Sequence, residues 1–386
     1  MRIAIDLTAT PKSKTGIGRY MLGLLKGLQE TDKENEYYLF AQDDDLDGFG
    51  VYAPNFHMVP VKSSILRKTY IRILWEQIVF PWRVRKLKAD VLHCPNYTMP
   101  YFLKFISSRT KVVTVFHDMT YFIYPQYLVG WKCKMFQWYI KHSARRADKI
   151  ITISENSRED IPNYCKPRNK DIAVTYMGVK DEFFSSKPAS QELLEKYGIN
   201  KKYIIYVGTL EPRKNVPGLL RGYKLLPDEI RDEYKLVIVG KKGWLYDEIF
   251  DTANSEPKLR DNVIFTGFVE DDDMRSLMRS SSSVAYLSYY EGFGIPVIEG
   301  MASGVPTVTT NVSSLKEVAG DCCFTCSPDK DEEIADALMK AINDSKKLEQ
   351  NDSEAVDLRD RALDRAKFFS WENCAKATLE AYRSIK

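Results

Sequence analysis

Four short segments of this 386-residue chain carry residues whose types and spacing suit work on a phosphorylated, hydroxyl-rich small molecule. The most specific is Glu291-Gly-Phe-Gly-Ile-Pro-Val-Ile-Glu299. Eight residues on a helical rise span about 12 Å, too far for the acid and nucleophile pair of a glycosidase. The two carboxylates suit opposite ends of one elongated ligand. Glu299, inside a helix, fits a ribose diol as a charge-assisted acceptor, and Glu291, in the loop before it, fits a sugar hydroxyl. Between them Phe293, Gly294 and Ile295 place amides at a helix start, where hydroxyls or phosphate are favoured. The plainer reading of Glu299 is a first-turn acid that stabilises the helix dipole.

The second segment is Gly208-Thr-Leu-Glu-Pro-Arg-Lys-Asn215. Pro212 stiffens the turn, and an apolar helix begins after Asn215, so Arg213 and Lys214 sit at a helix N-terminus. The dipole disfavours cations there unless an anion lies between them. A diphosphate would supply that anion, with Arg as a fork and Lys as a point charge; the alternative is a solvated basic turn. In Thr15-Gly-Ile-Gly-Arg-Tyr20, Gly16 and Gly18 stand where a strand turns into a helix, and their bare backbone suits close approach of a pyrophosphate. Met21 stands where a dinucleotide fingerprint needs a third glycine, so a tight turn without ligand competes. The fourth segment is His117-Asp118 at a strand end.

The elements that must position these loops are short runs rich in Val, Ile and Tyr alternating with helix-length segments. Candidate strands in the first half are 2–8, 37–42, 57–62, 90–94, 111–118, 149–154 and 172–178; in the second they are 203–210, 235–240, 263–269, 284–288, 306–310 and 323–326. That is the pattern of an α/β chain with two Rossmann-like, doubly wound domains facing a cleft, in which ligands bind at the carboxyl ends of strands. The polar stretch 180–190 reads as the linker, giving domains 1–183 and 184–369. A composition of 44% apolar and 28% charged residues describes a folded protein, not a disordered one. No apolar run reaches the ~20 residues of a membrane span, and Met1-Arg2 leads directly into a strand without a secretory leader, so a cytoplasmic location is expected. The seven cysteines, an odd number, point to free thiols.

Charge divides unevenly. Residues 1–180 hold 28 Lys and Arg against 17 Asp and Glu, a net of +11, and the remainder nets −8. Much of the excess lies in 66–88 and 130–149, where Trp75, Trp82, Trp131 and Trp138 are interleaved with Arg and Lys. These are either a surface for anionic lipid or amphipathic helices packing on the first sheet. No nucleic-acid module is present. The triplets Asp43–Asp45 and Asp271–Asp273 read as a solvated loop and a helix N-terminus, and Cys323-Phe-Thr-Cys326 lies on a strand with no second pair, so no metal site is expected.

The segments TGIGRY, HD after a strand, GTLEPRKN and EGFGIPVIE, in this order and at these separations, resemble glycosyltransferase family 4, whose members adopt the GT-B fold. The resemblance runs over nearly the whole chain. It implies a retaining, metal-independent hexosyl transfer from a nucleotide diphosphate sugar to a glycan or lipid-linked acceptor, with no further cofactor. GDP-mannose is the first expectation for the donor and a UDP-sugar the next. Position by position, Gly16 and Gly18 would face the diphosphate, His117 with Asp118 the donor sugar, and Arg213 and Lys214 the diphosphate. Glu291 and the amides of Phe293, Gly294 and Ile295 would hold the sugar, Glu299 the ribose, and Gly267 and Val269 the base. Many relatives carry Arg directly after the strand-end glycine; here that position is Thr209, and the arginine role moves to Arg213. The resemblance also implies that the first domain takes the acceptor at the inner face of a membrane, and that the segment 370–386 returns to the first domain as part of the hinge. A nucleotide-sugar epimerase or hydrolase and a noncatalytic sugar-nucleotide-binding subunit are the alternatives.

Overall fold

Thirteen short apolar runs become two all-parallel sheets. The structure, a computed structural model, describes every residue except 13, 15, 128 and 129; Thr15 of the glycine-rich segment therefore lies outside the described residues. The first sheet comprises β1 (Arg2–Asp6), β2 (Glu36–Gln42), β3 (Phe56–Val61), β4 (Val91–Cys94), β5 (Lys111–Phe116), β6 (Lys149–Thr152) and β7 (Ile172–Val174), in the order β3-β2-β1-β4-β5-β6-β7. The second comprises β8 (Lys202–Val207), β9 (Tyr234–Val239), β10 (Val263–Gly267), β11 (Ser283–Tyr286), β12 (Thr307–Thr310) and β13 (Phe324–Cys326), in the order β10-β9-β8-β11-β12-β13. Strands β4, β6, β11 and β12 are buried at every residue, as expected where helices cover both faces of a parallel sheet.

The chain order reverses direction between β1 and β4 in one sheet and between β8 and β11 in the other. Loops leaving neighbouring strands at such a point diverge to opposite faces and leave a crevice at the carboxyl ends. Several runs read from sequence extend past the last paired residue. The run 111–118 pairs only through Phe116, and continuous pairing of 203–210 ends at Val207 with a single further bridge from Leu210 to Lys242, which releases His117, Asp118 and Thr209 into loops.

Contacts divide the chain into two compact units, Met1–Gly178 with Ser370–Lys386, and Val179–Phe369. The junction expected after residue 183 falls instead after Gly178. The reason is that the turn Asp181–Phe183 belongs to the second unit, where Phe183 is buried. In the first unit the helix Trp371–Arg383, capped by the Ser370 hydroxyl, packs against the helix Ile17–Thr31. The approach is so close that a Cβ on Gly23 would stand 2.0 Å from the Trp371 ring.

The signals set aside in the sequence have ordinary structural roles. Asp271–Asp273 form the first turn of the helix Asp271–Ser280. Asp43 accepts from the Ser63 amide, Asp44 pairs with Lys12 and Arg67, and Asp45 pairs with Lys14. All seven cysteines are free thiols. The two aromatic, basic segments form the helices Thr69–Leu87 and Gly130–Arg146. Trp75 packs inward on Phe80, whereas Trp82, Trp131 and Trp138 are exposed.

Candidate active site

In the second unit the loops leaving β8 and β11 meet at the crevice where strand order reverses. The β8 loop makes a tight turn over Pro212–Lys214. Asn215 then ends that turn in the left-handed region and caps the helix Val216–Lys224 by accepting from the Gly218 amide. This geometry throws Arg213 and Lys214 toward the β11 loop. There they meet Glu291: Lys214 Nζ lies 2.6 Å from Oε1, and Arg213 NH1 lies 2.9 Å from Oε2.

The anion between the two cations is therefore a side chain of the protein itself. Arg213 also reaches Glu211 at 2.7 Å and donates to the Tyr290 carbonyl at 2.6 Å. Lys214 donates to the Tyr286 hydroxyl, which in turn donates to Glu291 Oε1 at 3.0 Å. The loop carrying Glu291 is fixed from behind: its amide donates to Ser313 Oγ at 3.1 Å, and Ser314 Oγ donates to the Glu291 and Phe293 carbonyls. Two cations and two carboxylates thus form a neutral cluster, nearly closed to solvent.

Burial alone would raise the Glu291 carboxyl, but Arg213 and then Lys214 outweigh it and hold the group down at about 2. Glu291 is an anion at any physiological pH and not a proton donor. Burial lowers Lys214 despite the pull of Glu291, and raises Tyr286, which keeps that phenol neutral. With two of its three ammonium protons directed at Tyr286 and Glu291, Lys214 keeps one for an incoming acceptor.

Gly294, at φ 103°, precedes the helix Ile295–Ala302, where only glycine adopts the backbone without strain. Pro296 brings no N–H to that helix start, so the donors come from the residues before it. The Phe293 side chain is buried edge-on against Phe369, so any part it takes in binding goes through its backbone. Glu299 lies in the fifth helical position, past the first turn, and is 4% exposed. Thr209 is exposed on the β8 loop. Gly267 and Val269 sit at the end of β10, separated from β8 by β9 and thus away from the cation cluster; Val269 is buried.

In the first unit Gly16, at φ 51°, opens the helix Ile17–Thr31, and no atom lies within 4 Å of where its Cβ would be. Gly18 is the second residue of that helix and lies against the Lys14 side chain. His117 is 8% exposed and wedged edge-on between Tyr20 and Tyr97. Its Nε2 stands 2.7 Å from the Pro95 carbonyl, and burial lowers its proton affinity. A neutral ring facing a carbonyl must carry its proton on Nε2, leaving Nδ1 as an acceptor. A sugar hydroxyl meeting His117 would therefore donate to it. Asp118 is occupied by the Tyr97 hydroxyl and the Thr120 amide.

Sequence reasoning missed Glu211, Tyr286, Ser313 and Ser314, which complete the cluster around Glu291. Glu211 was within the β8 motif and its acid next to two cations was the available signal. It also missed Asp6 and Glu76 of the first unit, although Asp6 is a lone acid ending an apolar strand.

The comparisons with known proteins agree with this architecture. Glycosyltransferase Family 4 matches residues 14–183, and Glycosyl transferases group 1 matches residues 190–356. O-antigen chain mannosyltransferase B of Escherichia coli is 32% identical over 389 residues, covering 96% of this chain and 96% of that protein. Among solved structures, a glycosyltransferase from Rickettsia africae superposes with a TM-score of 0.75 at 18% identity over 100% of this chain and 98% of that one. Anabaena Alr3699/HepE in complex with UDP-glucose superposes with a TM-score of 0.74 at 16% identity over the whole of both chains. The two doubly wound sheets are those of the GT-B fold. With family matches in both units and a 32% identical relative along nearly its full length, the chain belongs to glycosyltransferase family 4 and is a glycosyltransferase.

Proposed function

We propose that this enzyme transfers mannose, with retention and without a metal ion, from GDP-mannose to a glycan or lipid-linked acceptor in the assembly of a surface polysaccharide. The observation that carries the reading is the Arg213–Lys214–Glu291 cluster at the crevice of the second sheet. The mannosyltransferase name of the relative that matches 96% of the chain supports the sugar and the pathway class.

Breaking the bond to the anomeric carbon sends negative charge onto the departing diphosphate. Donors already fixed at that place lower the barrier without reorganising. Lys214 and Arg213 are held by Glu291, Glu211 and Tyr286, so they meet the diphosphate in a set orientation. Glu291, ionised and salt-bridged, serves as a brace for the cations and as an acceptor for a sugar hydroxyl. It does not act as an acid. The acceptor hydroxyl loses its proton to an oxygen of the leaving phosphate on the same face, so no protein base stands opposite the donor. His117, with Nδ1 as acceptor, orients a donor-sugar hydroxyl.

The exposed aromatic residues of Thr69–Leu87 and Gly130–Arg146, interleaved with Arg and Lys, support peripheral contact with an anionic membrane. No helix among the described residues is long and apolar enough to cross one.

Calorimetry with GDP, UDP and ADP in EDTA tests the donor site. Binding of GDP by the wild type, lost in Lys214→Ala, is the expected result. Binding that requires Mn²⁺, or that is unchanged in Lys214→Ala, contradicts the assignment.

A further inference from the structure

Seven described non-glycine residues carry a left-handed backbone. Four of them are exposed. The other three stand beside residues already placed at the site: Asn215 ends the turn bearing Arg213 and Lys214, Ser313 accepts from the Glu291 amide, and Tyr97 lies against His117 and Asp118. Asparagine tolerates that backbone and serine is small, but a bulky aromatic at φ 57° is an outlier whose cost the surroundings must supply. Tyr97 is also buried, so no exposed turn explains it.

The surroundings of Tyr97 show what the strain holds in place. Its loop follows β4, and its amide donates to the Val115 carbonyl of β5 at 2.9 Å, just before His117. The same loop carries Pro95, whose carbonyl faces His117 Nε2 at 2.7 Å. The left-handed turn at Tyr97 then brings its ring edge-on to His117, with centroids 5.6 Å apart and planes at 66°. Tyr20, fully buried, meets the same imidazole at 5.0 Å and 83°. The Tyr97 hydroxyl donates to Asp118 Oδ1 at 3.0 Å, the oxygen that also accepts from the Thr120 amide at 2.9 Å. Phe116 and Tyr121 pack on the Tyr97 ring in turn, with centroids 6.0 and 5.8 Å away. One side chain, itself fixed by two aromatic neighbours, therefore holds both members of the His117–Asp118 pair.

We propose that Tyr97 is a positioning residue for sugar transfer, fixing the His117 imidazole with its ring and the Asp118 carboxylate with its hydroxyl so that both meet the donor sugar in one orientation. The inference rests on the reading of His117 and Asp118 as the residues that face the donor sugar. Tyr97 acts through them, so its loss misaligns the sugar and leaves the hold on the nucleotide intact.

The test compares wild type, Tyr97→Leu and Tyr97→Phe in the full chain, with a melting curve to show that each folds. The first readout is the His117 ring signal in ¹⁵N-histidine NMR of the ligand-free protein, assigned by its absence from His117→Gln. The second is kcat at saturating GDP-mannose with a mannose-terminated acceptor, and the third is the calorimetric affinity for GDP, which lacks the sugar. In Tyr97→Leu the His117 signal is expected to move while that of His57 on β3 stays. Its kcat is expected to fall about 10²-fold, the effect of a misplacement near 1 Å, with GDP affinity within about twofold of wild type. Tyr97→Phe restores the ring, so the His117 signal returns and only about a tenfold deficit in kcat remains from the lost bond to Asp118. A folded Tyr97→Leu whose kcat stays within about threefold of wild type, or whose His117 signal is unmoved, overturns the proposal. A loss of GDP affinity that parallels the loss of kcat overturns it as well. If the wild type does not turn over GDP-mannose, the donor reading fails separately, and the His117 signal alone decides on Tyr97. If Tyr97→Leu does not fold, Tyr97→Phe decides: a wild-type kcat overturns the proposal, and a reduced one supports it.

Discussion

Glu291, buried in the second unit, and Glu76, half-buried in the first, both stand beside a sheet crevice, and their surroundings drive them in opposite directions. Glu291 faces Arg213 and Lys214, which hold it ionised at about 2. Glu76 faces another carboxyl, Asp6, with Arg72 as the nearby cation, and is pushed to about 8. Burial acts the same way on both; the count of cations decides which form survives. A site of fixed, balanced charges suits an anionic ligand such as a diphosphate. A site holding a mobile proton suits a neutral one rich in hydroxyls. The two crevices thus differ in the charge they offer a ligand.

The contrast breaks most sharply at Glu291. Replacing it by Gln leaves Arg213 and Lys214 buried against a single carboxylate, at a cost of about 3–5 kcal/mol. A calorimetric scan near neutral pH is expected to show a Tm lower by something on the order of 10 °C. The sign with pH follows from linkage. Glu291 is depressed on folding, so its contribution is present above the ordinary glutamate value and lost as pH falls toward 2. The difference between the wild type and Glu291→Gln therefore shrinks in acid.

Lys214→Ala should cost about 10²–10³ in kcat, comparable with removing one preorganised donor from a developing oxyanion. Steady-state kinetics at saturating donor checks this, and a kcat within threefold of wild type would place the leaving-group contact elsewhere.

At Glu76 the sign reverses. Its folded value is raised, so its contribution is complete below the ordinary 4.5 and lost as pH climbs through about 8. Asp6, Arg72 and the Cys94 thiol face it, and burial keeps that thiol protonated. Glu76→Gln has no such proton to lose. Its Tm is expected to gain on the wild type by ~2–4 °C between pH 5 and pH 9, from about 1 kcal/mol of relieved repulsion. Parallel Tm profiles for the two proteins would show that the pair does not share a proton.

Gly16→Ala is the mildest change. Space for the methyl exists, but φ is 51°, so a loss of about 1 kcal/mol is expected from backbone strain alone. A chemical-denaturation midpoint measures it.

Much of this was legible in the sequence. All thirteen strand runs formed, because continuous Val and Ile runs have few other uses, and the loops bearing Arg213, Lys214, Glu291 and His117 follow strands as expected. What the sequence left hidden are pairings set by strand order. Nothing near residue 213 says that β8 lies next to β11, so the anion between Arg213 and Lys214 was expected from a ligand rather than from Glu291. Asp6 and Glu76 were missed for the same reason: a strand end and a helix position 70 residues apart meet only once the sheet is wound. His117 shows a third case. Its backbone partner, Pro95, lies on the neighbouring loop after β4, and that bond takes up Nε2 and leaves Nδ1 as the acceptor.

The most direct test of the account is the product itself. The chain would be incubated in EDTA with GDP-mannose labelled with ¹³C at the anomeric carbon and a mannose-terminated acceptor, and the one-bond C–H coupling of the new linkage read by NMR. The account predicts a mannosylated product in the α configuration of the donor. A β-linked product, or transfer that appears only when a divalent metal is restored, would contradict it.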